Sequence, residues 1–405
     1  MAYRPHRRDI LRTAAMAGAS LALPHWLTGC SNSSATGSLT ASGATGTAKD
    51  PVKVALVLPV GANTQTGAIG KALRQAAELA VFDLNQPGFQ LMVKDDRGSE
   101  DGARAAVSEA IAGGAEIILG PLFSRATAAA APEARKAGVP IISFSNDRTV
   151  AGNGVYLLSF LHDQEVSRIV DFAARQGRTR LVALLPKDAL GDQLDQSVRA
   201  AVARSGSTLV DVERYAPNTN AVLAPARKIH DAIKAAPAEA PVDALFLPGG
   251  EDVLPIVAPF IPYLGIDTQQ VRLLGTGGWD SPIVNREKAF ASGWFAAPDP
   301  RGWRTFAERF AKSYGAPPPR VASLAYDAVG VAAAFAGAAR GGRYGTANLT
   351  RASGFNGIDG RFRFSASGLV ERDLAVLEVR REGNAVIDVA PVAPGGLYTS
   401  ALAKS

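Results

Sequence analysis

The chain has 405 residues, 47% of them apolar and 20% charged, which is the composition of a globular protein too long for one small core. The formal charge is +6, but Arg4, Arg7, Arg8 and Arg12 stand against Asp9 alone near the start. The remaining excess is too small and too scattered to mark a nucleic-acid-binding surface. A single cysteine excludes an intrachain disulfide or a cysteine metal cluster, and four histidines leave little material for a multi-histidine site.

Residues 1–29 run from basic to apolar to small, the order of a signal peptide. The arginine pair Arg7-Arg8 before the apolar run suggests the twin-arginine route, with general secretion the alternative. Leu27-Thr28-Gly29-Cys30 resembles a bacterial lipobox. That resemblance implies a lipid on Cys30, a membrane anchor and, with Ser31 following, outer-membrane sorting. Residues 30–50 then form a Ser/Thr/Gly/Ala linker with a reach of roughly 25 Å.

From residue 51 strands and helices alternate. Val52 to Leu58 reads as a strand ended by Pro59. Ile69, Leu73, Ala76, Ala80 and Leu84 recur on one helical face. Strand Phe89 to Lys94, helix Glu100 to Ala112, strand Ile117 to Leu119, helix Ser124 to Lys136 and strand Val139 to Phe144 follow. The pattern restarts with strand Tyr156 to Phe160, helix Gln164 to Arg175 and strand Leu181 to Leu185. Next come helix Gln193 to Arg204, strand Leu209 to Val212, a helix over 218–236, strand Ala244 to Leu247, helix Val253 to Ile261 and strand Val271 to Leu274. Short apolar strands alternating with helices argue for parallel sheets covered on both faces. Residues 321–339 are apolar enough to span a bilayer, but Asp327 and the many alanines favour a packed helix. Phe362 and Phe364 alternate before Gly368, and Gly383-Asn384 turns before Val386, which predicts a closing antiparallel hairpin.

The ordered series Val54-Ala55-Leu56-Val57-Leu58-Pro59, Lys94-Asp95-Asp96, Ile118-Leu119-Gly120-Pro121, Ala137-Gly138-Val139-Pro140, Ala325-Tyr326-Asp327 and Gly357-Ile358-Asp359-Gly360 resembles type I periplasmic binding proteins of the leucine-binding kind. The resemblance implies an α/β fold of two Rossmann-like lobes with parallel sheets, joined by three crossovers. The expected lobes are 51–160 plus 298–350, and 161–297 plus 351–392, with 393–405 a tail. A narrower resemblance, on Gly120-Pro121-Leu122, Tyr156-Leu157-Leu158-Ser159-Phe160 and Gly275-Thr276-Gly277-Gly278-Trp279-Asp280, is to lipoproteins that activate penicillin-binding proteins. It implies a regulator of peptidoglycan synthesis with a penicillin-binding protein as partner. The alternative is a receptor that hands an amino acid or similar polar solute to an ABC transporter permease.

Ligands of open α/β sheets sit beyond the carboxyl ends of strands. That rule selects Asn63, Thr64, Ser124, Arg125, Ser145, Asn146 and Asp147 in the first lobe, and Asp188, Gly250, Glu251, Trp279 and Asp280 in the second. Their hydroxyls and charges suit a small polar ligand. Ser124 sits where helix amides attract a carboxylate. Ser124, Asp147 and Asp188 are also candidate helix caps, and Trp279 either stacks on a ligand or packs at a hinge. Amino-acid-binding relatives have Ser-Ala-Thr where Ser145-Asn146-Asp147 stands, so Asp147 opposes a substrate carboxylate. Hydrolase, P-loop and Gly-x-Gly-x-x-Gly templates are missing from the sequence. The expectation is therefore a non-catalytic protein without metal, cofactor or nucleic-acid partner.

Overall fold

Val52–Leu58 is apolar on both faces apart from Lys53, and it forms β1, an interior strand of a covered sheet. A computed structural model places residues 51–62, 65–216, 219–391 and 397–398. The signal, Cys30, the linker, Asn63 and Thr64 lie outside the described residues.

After β1 come α1 (Gln65–Leu84), β2 (Phe89–Asp95), α2 (Glu100–Ala112), β3 (Ile117–Leu119), α3 (Ser124–Lys136), β4 (Ile141–Ser143) and β5 (Val155–Leu157). These five strands form an all-parallel sheet in the order β2-β1-β3-β4-β5. The second lobe runs α4 (His162–Arg175), β6 (Arg180–Pro186), α5 (Ala189–Ser205), β7 (Thr208–Tyr215), α6 (Thr219–Ala235), β8 (Ala244–Phe246), α7 (Leu254–Val257), α8 (Phe260–Tyr263), β9 (Arg272–Gly275), α9 (Pro282–Arg286) and β10 (Trp294–Ala297). Its strands repeat the first-lobe arrangement, as β7-β6-β8-β9-β10. The chain then passes through α10 (Pro300–Tyr314), α11 (Ala322–Ala334), α12 (Thr346–Leu349), β11 (Phe355–Gly357), β12 (Gly360–Phe364) and β13 (Val370–Arg372). It ends with β14 (Ala375–Glu378), β15 (Ala385–Asp388) and β16 (Leu397–Tyr398). β14 and β15 extend the second sheet antiparallel beyond β10.

Three crossovers join the lobes, at residues 158–161, 297–300 and 372–375. The expected boundaries shift at the last of them. β11, β12 and β13 form a small sheet whose Phe355, Phe362, Phe364 and Val370 are buried in one core with β1, α1 and α11. Residues 355–372 therefore belong to the first lobe, and only β14 onward joins the second. The cause is aromatic packing: Phe355 lies 6.0 Å from Phe335, and Phe364 lies 5.5 Å from Tyr156. The predicted antiparallel ending is two hairpins in two sheets: β12–β13 about Gly368 in the small sheet, and β14–β15 about Gly383-Asn384 in the second-lobe sheet. The supposed tail carries β16, paired parallel with β11.

Two further elements differ from expectation. The helix predicted over Val253 to Ile261 is two single turns, because Pro259 between them cannot donate to a preceding carbonyl. The apolar stretch 321–339 is helical only to Ala334 and packs on α1 inside the core. Among the described residues no helix is long and apolar enough to cross a membrane.

Candidate functional site

The carboxyl ends of β2, β3 and β4 open onto a concavity of about 460 Å³, whose lining includes Ser99, Glu100, Phe123, Ser124, Arg125 and Ser145. That size suits a small solute. Ser124 is the first residue of α3 and does not cap it; Phe123 holds the cap position without a side-chain bond. No side chain caps α3, so its first-turn amides are left for an anionic group, while the Ser124 hydroxyl lies within hydrogen-bonding reach of Asp147. Phe123 is 40% exposed, which leaves an apolar wall beside these polar groups.

The β4 loop is held by its own hydroxyls. Ser145 donates its amide to Ser143 Oγ at 3.1 Å, and its own Oγ accepts from the Asp147 amide at 3.1 Å. Asp147 Oδ1 accepts from the Thr149 amide at 3.0 Å and hydroxyl at 2.7 Å, capping a single 3-10 turn. The Thr149 hydroxyl is the main reason that the Asp147 carboxyl titrates below its ordinary range. Partial burial opposes this, and the Thr149 amide and Ser124 hydroxyl reinforce it. Asp147 thus presents a firm negative charge next to the concavity. Asn146 lines this concavity and also a neighbouring one that reaches His162 at the start of α4.

Asp96 lies under the loop that brings Ser99 to the site. It is fully buried, and its Oδ1 accepts from the Gly98 amide at 2.8 Å, while Oδ2 has no hydrogen-bond partner. Burial pushes its pKa up to about 6 despite the Gly98 bond, with the Asp95 charge adding to the rise.

The second-lobe candidates hold structural positions. Asp188 caps α5 by accepting from the Gly191 amide at 2.9 Å. Glu251 accepts from Ser281 Oγ at 3.1 Å, and Asp280 from Asn384 Nδ2 at 2.7 Å. Gly250 is half-buried in the loop after β8, and its Cα lies 3.2 Å from where a Gly278 side chain would begin. Trp279 is fully buried; its Nε1 donates to the Leu247 carbonyl at 3.0 Å and its ring packs on Phe290 and Phe295. Stacking on a ligand, one of its two expected roles, is therefore closed to it. Gly275 leaves room for that ring, since a Cβ there would lie 2.2 Å from it.

Sequence reasoning missed Ser99 and Glu100, although the strand-end rule applied to β2 selects both. It also missed the hinge. Gln164 donates to the Val370 carbonyl and accepts from the Arg372 amide at 2.8 Å. Arg372 Nε donates to the Ser159 carbonyl at 3.0 Å, and Arg168 Nε to the Leu374 carbonyl at 2.8 Å. These bonds tie the first crossover to the third. Arg372 and Arg320 both lie over the Phe160 ring, at 4.9 Å and 4.7 Å. His162, the first residue of α4 just after the first crossover, meets Glu165 at 3.1 Å. Burial opposes its charged form, but the bond to Glu165 and the charges of Glu165 and Asp163 prevail and raise its pKa.

Among the described residues, no group of three or more His, Cys, Asp or Glu side chains is placed to hold a metal ion. Residues 51–384 match the family described as periplasmic binding protein. Solved structures share the fold. A Rhodospirillum rubrum protein described as a branched-chain amino acid ABC transporter superposes with a TM-score of 0.71 at 21% identity, over 83% of this chain and all of its own. A substrate-binding protein from Desulfitobacterium hafniense, complexed with Leu, gives 0.62 at 20% identity over 84% of this chain and 100% of its own. A solute-binding protein from Rhodopseudomonas palustris, complexed with 3,4-dihydroxybenzoic acid, gives 0.58 at 19% identity over 85% of this chain and 99% of its own. An uncharacterized Rickettsia prowazekii protein is 22% identical over 178 residues, 44% of this chain. The chain spans about half the length of that relative, 47%.

Proposed function

The chain belongs to the periplasmic binding protein family, and from that premise we propose that it captures a small carboxylate-bearing solute between its lobes and delivers it to an ABC transporter permease. One observation carries the reading: the first-lobe concavity combines the amino end of α3, the Ser124 and Ser145 side chains and the exposed Phe123 ring. This set recognises a carboxylate attached to an apolar body. The similar structures bound to leucine and to dihydroxybenzoate support that solute class. Asp147 favours a solute that also carries an ammonium group, because its charge repels a bare carboxylate.

The test is thermal unfolding of the protein against amino acids and aromatic acids. A solute at a hundred times its Kd stabilises by about 2.7 kcal/mol, which is several degrees. Ser124→Ala is expected to weaken binding about tenfold without lowering the ligand-free Tm. A flat panel from folded protein would overturn the solute reading.

A second reading is the penicillin-binding-protein activator, anchored through Cys30 at the outer membrane. What favours it is the Asp147 charge where relatives carry Thr. It predicts that the protein retains penicillin-binding proteins from solubilised envelope while ignoring every solute.

A further inference from the structure

The pole of the first lobe opposite the solute concavity carries its own depression of about 300 Å³. It is built at the amino ends of strands: Ala115 and Glu116 precede β3, and Val139 and Pro140 precede β4. Arg340, Arg343 and Tyr344, from the segment after α11, close it. A second depression of about 220 Å³ shares Gly138, Val139, Pro140, Tyr344 and Gly345 with the first and adds Arg135.

Arg343 is unusual among these residues. It is only 7% exposed, yet its Nε and Nη1 have no hydrogen-bond partner. Glu116 Oε2 stands 3.4 Å from Nε, close enough to offset charge but misdirected for a hydrogen bond. Buried guanidinium donors are ordinarily paired. Tyr344 fixes the floor by donating its hydroxyl to the Ala332 carbonyl at 2.9 Å. Glu116 is the carboxylate among the residues lining this depression, and Arg135 lines the second one.

We propose that this pole is a second binding site, for an oxyanion, with Arg343 as its principal ligand. A carboxylate or phosphate matches the guanidinium fork and supplies the acceptors that Arg343 lacks. The site is remote from the solute concavity and does not depend on which solute is captured there.

Calorimetric titration of the full chain with inorganic phosphate and with citrate, at constant ionic strength, tests it. Saturable binding of either anion is expected, weakened at least about tenfold by Arg343→Gln. Glu116→Gln removes the competing carboxylate and should tighten binding. Phosphate alone identifies a phosphate ligand and citrate alone a carboxylate ligand; both uphold the site. If Arg343→Gln fails to fold, Glu116→Gln decides. No binding of either anion, binding unchanged in folded Arg343→Gln, or weaker binding in Glu116→Gln would each overturn the assignment.

Discussion

Replacing Asp96 with asparagine isolates the cost of a buried charge beneath the solute concavity. The wild-type carboxyl is fully buried and titrates at about 6 instead of 3.8. A carboxyl whose folded pKa is raised stabilises the fold fully below its unfolded value. That stability is lost as pH rises from about 4 through about 6. About two pK units at 1.36 kcal/mol each make the loss roughly 3 kcal/mol by pH 7.5. Asp96→Asn keeps the Oδ1 acceptor for the Gly98 amide and cannot ionise. Its amide donor next to the unpaired Oδ2 position adds a cost that does not vary with pH. The informative quantity is therefore the change in the mutant-minus-wild-type difference across pH. Urea unfolding at several pH values between 3.5 and 7.5 should show Asp96→Asn gaining roughly 3 kcal/mol on wild type over that range. A difference that stays flat with pH would refute the desolvation argument.

Trp279→Ala should cost about 3–5 kcal/mol in chemical denaturation, because the whole indole is buried. Trp279→Phe should leave the solute Kd of folded protein unchanged, since no ring face reaches a ligand; a large rise in Kd would contradict this. Gly278→Ala puts a Cβ 2.3 Å from the Gly249 carbonyl oxygen, so the loops after β8 and β9 must separate, at a cost of about 1–3 kcal/mol read as a lower Tm. His162→Gln should destabilise most below pH 6.5, where the raised pKa lets folding favour the charged ring. The deficit should shrink as pH rises through that raised value, and a pH-independent deficit in a melting series would count against the His162–Glu165 pairing.

Local sequence made the first lobe readable. Strands buried on both faces must be apolar throughout, as in Val54 to Leu58, and helices between them must carry one apolar stripe, as in α1. The strand-to-helix loops of the site follow from that alternation, which is why Ser124, Arg125, Ser145 and Asn146 prove to share one concavity. α10 was equally legible: Asp299 caps it, Pro300 opens it, Gly315 ends it and Phe306 and Phe310 lie four apart. The alternation read from the sequence nonetheless stops at Leu274 and resumes at residue 321, so α10 and β10 went unread.

Other features had no local signature. A buried indole and a ligand-stacking indole look alike in Gly278-Trp279-Asp280; only the ring of Phe290, the ring of Phe295 and the Leu247 carbonyl decide which one Trp279 is. Residues 355–372 alternate like any edge strand, and their lobe was set by aromatic partners distant in sequence. Asp327 and the Ile358 amide, 31 residues apart, meet at 2.9 Å only in the folded chain, and Gly357 is glycine because a Cβ would lie 2.3 Å from that carboxylate. The sequence by itself determined the strands and helices of the two alternating runs up to Leu274, apart from the proline-broken stretch after β8, since their periodicity follows from burial within each element. The tertiary structure alone decided which lobe each late strand joined and which polar groups lost their partners. Both depend on what packs across the chain, and that is not written in any one segment.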